Sequence, residues 1–195
     1  MKNAIFLIMI IMIWSCSNTE KNSESHDHKD HSAHTAETSG DSKPKSPKKM
    51  AMTNVGDNHV HIEYSSPSKR GRQIFGGLVA FGEVWVTGAH KATSIQFSTD
   101  VEVEGTTITA GKYALFTIPG EEEWTIIINK NWDQHLADEY DAADDIVRIK
   151  ATPVALEEPV ESLTYKVEEL DAYNGKISIS WDNVLVSFEL KNSGS

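Results

Sequence analysis

Hydrophobic and polar positions alternate with a period near two along most of the chain beyond residue 50. The runs are short and rich in Val, Ile, Thr and aromatic residues: "HVHIEY" (59–64), "TSIQFST" (93–99), "VEVEG" (101–105), "KYALFTI" (112–118), "WTIIIN" (124–129), "DIVRIKA" (145–151), "SLTYKVEEL" (162–170), "KISISW" (176–181) and "VLVSFEL" (184–190). Alternation of this kind predicts strands with one buried face. Turn-forming stretches ("EGTTITAGK", "IPGEEEW", "DAYNGK", "WDNV") separate them. In 176–190, Ile177, Ile179 and Trp181 share one face, and Val184, Val186 and Phe188 alternate after "WDNV", which reads as a hairpin over a core. About nine short strands predict an all-β fold, a single antiparallel β-sandwich or flattened barrel. Two segments break the pattern. "NWDQHLADEYDAADD" (131–145) is poor in β formers and predicts a short helix or helical turns, and residues 64–93 form a long glycine-rich segment.

The first fifty residues follow other rules. Lys2 precedes an unbroken apolar run from Ala4 to Trp14, and the chain's only cysteine, Cys16, follows at once. Eleven helical residues reach roughly 16 Å, half a bilayer core, which suits the apolar region of a signal peptide better than a membrane span. Ile13, Ser15 and Cys16 resemble a bacterial lipobox, with Trp14 bulky for its place in it. The resemblance implies a signal peptide over 1–15 and a lipidated Cys16, hence a membrane anchor in a bacterial cell envelope, outer membrane by preference. A single cysteine permits no internal disulfide.

Residues 17–49 hold no apolar side chain larger than alanine, proline aside, and end in "KPKSPKK". A chain with so little to bury is expected to act as a disordered tether, 16–50, ahead of a domain at 51–195. It carries "HDHKDHSAH", whose His26, His28, His31 and His34 can take up Zn or Cu loosely, with Asp27 and Asp30 alongside. Nothing there imposes a geometry, so a solvated spacer is an equal reading and no tightly held cofactor is expected.

From Met50 onward 11 Lys and Arg face 23 Asp and Glu, a formal charge of −12. Such a surface repels nucleic acid. Lys69, Arg70 and Arg72 are cationic exceptions inside the glycine-rich segment. They point either to an anion site or to ion pairs with the many carboxylates.

That segment, "YSSPSKRGRQIFGGLVAFGEVWVTGAHKAT", together with "AGKYALFTIPGEEEWTIIINK", closely resembles the family called domain of unknown function 2911, found in secreted and lipid-anchored proteins of Bacteroidetes. The resemblance runs from about Val60 to Leu190. Many members read Trp-Arg-Thr-Gly-Ala-Asn where this chain has Trp85, Val86, Thr87, Gly88, Ala89 and His90. The family carries no activity to transfer.

His90 in "VTGAHKAT" is the leading site candidate. His135 and Asp138, three apart, would share a helix face and could join His90 in an acid–base or His₂-carboxylate arrangement. A small-ligand site is sketched by Lys69, Arg70, Arg72, Thr87, His90, Lys91 and Trp132. His59, His61 and Glu63 share one strand face, which reads chiefly as solvent-facing, with metal binding as the minor alternative. No nucleophile elbow, P-loop, C-x-x-C or H-E-x-x-H motif occurs. The sequence therefore favours a lipid-anchored binding module for a small ligand or an envelope partner. A hydrolase using His90 and His135, and metal handling by the tether, are the alternatives.

Overall fold

The structure, a computed structural model, describes residues 45–193. Ten strands lie among them: β1 (Lys48–Val55), β2 (Asn58–Ser65), β3 (Thr93–Phe97), β4 (Val101–Val103), β5 (Thr106–Ile108), β6 (Gly111–Ile118), β7 (Trp124–Asn129), β8 (Asp145–Ala151), β9 (Val154–Glu169) and β10 (Asn174–Asn192). All pair antiparallel, in a six-stranded sheet β1-β2-β3-β6-β7-β8 and a four-stranded sheet β5-β4-β10-β9. The two sheets stay separate, so the fold is a sandwich and not a barrel.

Alternation decides which residues meet between the sheets. On β2, Val60, Ile62 and Tyr64 face inward while His59, His61 and Glu63 face out. Ile95, Phe97, Leu115, Ile126, Ile128 and Ile149 continue the inner layer of the large sheet. Leu163, Tyr165 and Val167 of β9 meet them, with Ile177, Ile179, Trp181, Val186, Phe188 and Leu190 of β10.

Three expectations change. First, β1 begins at Lys48, inside the stretch assigned to the tether; only its alternate residues (Ala51, Thr53, Val55) turn inward, and exposed Met50 and Met52 hide the pattern. Second, residues 176–190 form no hairpin. β10 runs straight through "WDNV", with its register to β9 shifting at Asp182, whose φ is 53°. Across this irregularity, Ser180 to Val184, four steps along β10 match nine along β9, and the buried set moves from odd positions (177, 179, 181) to even ones (186, 188, 190), the same change of phase that a hairpin turn would produce. Third, 131–145 contains no α-helix. Its helical content is one 3-10 turn, Ala142–Asp144. The Asn and Asp side chains bond the local backbone instead: Asn129 Oδ1 accepts from Asn131 N at 2.9 Å and Asp141 Oδ1 from Ala143 N at 2.9 Å.

The glycine-rich segment closes one end of the sandwich. It first runs beside β9, where Leu163 N donates to Pro67 O at 3.0 Å and Lys69 N to Glu161 O at 2.7 Å. Lys69 then pairs with Asp182 at the bulge. Ile74 is fully buried, and Phe75 packs edge-on against Trp85, Trp124 and Trp181 at centroid distances of 6.3, 4.9 and 6.3 Å. Trp85 stacks on Trp181 at 5.8 Å and extends the large sheet by bridging to Thr117, where β3 has already ended.

Deep in the inner layer, Tyr64 and Tyr165 pack at 4.6 Å, and the Tyr165 hydroxyl donates to Thr87 O at 2.9 Å. Burial pushes both phenols above the ordinary tyrosine range, Tyr165 far above it. A phenol whose folded pKa is raised stabilises the fold fully below its unfolded value near 10 and progressively less above it. Stability is thus expected to be flat up to about pH 10. Above that it falls by about 1.4 kcal/mol per pH unit for each such tyrosine. Urea midpoints measured from pH 9 to 11.5 should show the fall, and Tyr165→Phe should make it shallower. An equal slope in the variant would remove this assignment.

Candidate functional site

The outer face of the large sheet is covered over half its width. The loops 84–92 and 131–145 lie across β6 and β7 and enclose a second, smaller core of Val86, Ala92, Ala114, Phe116 and Ile127, with Tyr140 edge-on to Phe116 at 5.3 Å. The two loops are stitched together by backbone bonds: Ala92 N to Gln134 O at 3.0 Å and Leu136 N to His90 O at 2.7 Å. Asp145 fastens the far end of the second loop. Its buried carboxylate accepts from Tyr140 Oη at 2.8 Å, Arg148 Nη1 at 2.7 Å and Asn129 Nδ2 at 2.8 Å. The bonded carboxylate holds the Arg148 guanidinium above its ordinary range; burial first, then Asp145, raises the Tyr140 phenol.

The other half of that face, on β1, β2 and β3, is bare. Where the covered and bare halves meet, a groove of about 470 Å³ opens. Met50, Glu63, Ser94 and Lys112 form its floor, and Lys91, Trp132 and Asp133 rise from the loops as one wall, with Lys48 and Lys49 opposite. Lys112 Nζ bonds Glu63 Oε2 at 2.7 Å and stands 4.5 Å from the centre of the Trp132 ring. That bond, chiefly, pulls the Glu63 carboxyl below its usual range. Lys91 Nζ bonds Asp133 at 2.8 Å. Four lysines against two carboxylates leave the groove a formal +2 in a domain that is otherwise strongly acidic. An anion with an apolar portion fits this lining: charge from the lysines, a planar or aliphatic contact from Trp132 and Met50.

Of the residues the sequence nominated for a ligand, Lys91 and Trp132 line the groove. Thr87 is fully buried, its hydroxyl bonded to Thr117 Oγ1 at 3.0 Å. Lys69 is held by Asp182, Arg72 donates to Ser68 O at 2.7 Å and Lys69 O at 3.1 Å, and Arg70 reaches Lys45 O at 3.2 Å. The fold does bring the His90 and His135 segments side by side, through the Lys91–His135 bridge. His135 Nδ1 lies 3.6 Å from Asp138 Oδ2, both well exposed. Among the described residues no group of three or more His, Cys, Asp or Glu is placed to hold a metal ion. Cys16 and the histidines 26, 28, 31 and 34 lie outside the described residues. Lys48, Lys49, Met50, Glu63 and Lys112 were not foreseen. They converge only through strand register, Lys48 opposite Ser65 and Met50 opposite Glu63, which single-strand patterns do not reveal.

Residues 46–190 match the family model described as "Protein of unknown function (DUF2911)". The chain belongs to this family. No curated protein and no solved structure matches it. The DUF2911 match begins two residues before β1, which places that strand inside the family unit. The backbone geometry also suits a histidine at position 90. His90 has φ 69°, a left-handed conformation that asparagine and histidine accept more readily than most residues. Thr87 at 50° and Leu136 at 52° are left-handed too, so both loops over the second core hold strained turns.

Proposed function

We propose that this DUF2911 domain is a binding module for a small anion bearing an aromatic or aliphatic group, held at the cell envelope by a lipid on Cys16. The single observation that carries the binding reading is the groove: four lysines and an exposed tryptophan gathered in a domain whose residues 48–195 carry 13 Lys and Arg against 23 Asp and Glu, a formal charge of −10. Attraction between the lysines and an anion operates over about 8–10 Å at ordinary ionic strength, so the acidic remainder of the surface does not cancel it. Burying part of an aromatic ring on Trp132 adds contact energy and selectivity against bare inorganic anions.

Phenyl phosphate is a suitable probe, with inorganic phosphate and phenol as its two halves. Titrated into the full chain, phenyl phosphate is expected to shift the Trp132 indole N–H resonance saturably, more tightly than either half, and to weaken in 1 M salt. Lys49→Glu with Lys91→Glu, or Trp132→Ala, should each weaken it at least tenfold. An unmoved Trp132 signal, or variants that bind like the parent, would remove the reading. The anchor is tested separately: Cys16→Ser should release the protein from the membrane fraction.

A further inference from the structure

Beyond Met50 and Glu63, which line the groove, the bare outer face of β1 and β2 carries four residues that the anion reading does not use: Met52 and Asn54 on β1 against His61 and His59 on β2. Met52 sits directly opposite His61, and Asn54 opposite His59. Directly opposed residues in an antiparallel pair have Cβ atoms about 4.5–5.5 Å apart and project from the same face, so their side chains can share one ligand.

Two details single out the histidines. His59 Nδ1 lies 2.8 Å from Asn54 Oδ1. A side-chain carbonyl only accepts, so the ring must donate from Nδ1, which leaves the Nε2 lone pair free. That is the outer hydrogen bond by which proteins orient an imidazole toward a metal. His61 Nε2 is buried and has no hydrogen-bond partner among the described residues. An unsatisfied buried nitrogen is uncommon and calls for an unrecorded partner. The rings of His59 and His61 are 6.1 Å apart. With metal–nitrogen bonds of about 2.0 Å, two imidazoles on one ion have centroids at most roughly 6.3 Å apart, and 6.1 Å corresponds to an N–metal–N angle of roughly 150°. Tetrahedral sites need the rings closer. A wide angle with a third, thioether donor suits a soft monovalent ion, and thioether sulfur is a ligand that Cu(I) accepts and hard cations avoid.

We propose that His59, His61 and Met52 form a Cu(I) site on the outer face of the β1–β2 hairpin. Met52 is half exposed and free to swing over the ion. The site differs from any uptake by the N-terminal histidines in one measurable respect: it contains sulfur.

The test uses the full chain loaded anaerobically with one equivalent of Cu(I) from a bicinchoninate-buffered solution. X-ray absorption is expected to show nitrogen and one sulfur around copper, with the sulfur lost in Met52→Leu. Competition against bicinchoninate should show at least tenfold weaker retention in Met52→Leu and in His61→Gln, each with an unchanged circular-dichroism spectrum. A nitrogen-only shell in the parent chain would place the copper elsewhere and overturn the proposal. So would sulfur that persists after Met52→Leu, or variants that retain copper as the parent does.

Discussion

Replacing Trp181 by alanine is expected to cost about 3–5 kcal/mol, a large part of the 5–15 kcal/mol that holds a domain of this size together. Trp181 is 1% exposed and occupies the point where β10 changes phase. Its ring stacks on Trp85, meets the edge of Phe75, and donates its N–H to Glu161 O at 3.2 Å. Truncation leaves a cavity bounded by a bulged strand and by two residues from the glycine-rich segment. None of the three can close on it without losing other contacts. The Glu161 carbonyl keeps a second donor, Lys69 N, so the loss is mainly one of packing. Urea denaturation should show the midpoint falling sharply at nearly constant m-value, and Trp181→Phe should recover much of it. A loss under about 1 kcal/mol would mean that the end of the sandwich is not closed by this cluster.

Phe116→Ala should cost about 3 kcal/mol or more, in a different place. Phe116 is fully buried on the outer face of the large sheet, beneath the two loops. Without it, Tyr140 loses its edge contact and Val86 and Ala92 lose their floor. The amides of Ala92 and Leu136, which tie the loops together, should exchange with solvent much faster, while those of β7 facing β8 stay protected. Lys91 and Trp132 stand on these loops, so phenyl phosphate binding should weaken together with the exchange protection. Uniformly faster exchange across both sheets would show that the two cores melt as one. The contrast with Trp181→Ala separates the sandwich from the layer that carries the groove.

Much of the sandwich was legible from alternation alone, because seven of the expected runs coincide with strands whose inward residues are Val, Ile, Leu or aromatic. What escaped notice had physical causes. β1 lies on the bare part of the large sheet, where only the inner face is covered, and its outward residues include two methionines. β5 is three residues long and follows a two-residue turn at Glu104 and Gly105, both at positive φ. The false hairpin at "WDNV" arose because a bulge and a turn leave the same trace in a pattern of period two. The site was legible in part. Lys91 and Trp132 stood out as a cation and an aromatic in irregular segments, whereas Lys48 and Lys49 fell in the stretch assigned to the tether and Lys112 at the start of a strand run. They matter only because the register of three strands and one loop sets them around a common space.

β10 has a consequence for how the chain is made. It supplies six of the residues sealed between the sheets, and near its end Asn192 bonds back to Asp57 at 2.5 Å and shares a hydrogen bond with Thr99 at 3.1 Å. β4 and β9 meet only through this strand. No part of the four-stranded sheet beyond the small β4–β5 hairpin can assemble before the segment 174–192 has been synthesised, so the nascent domain stays open to its last strand.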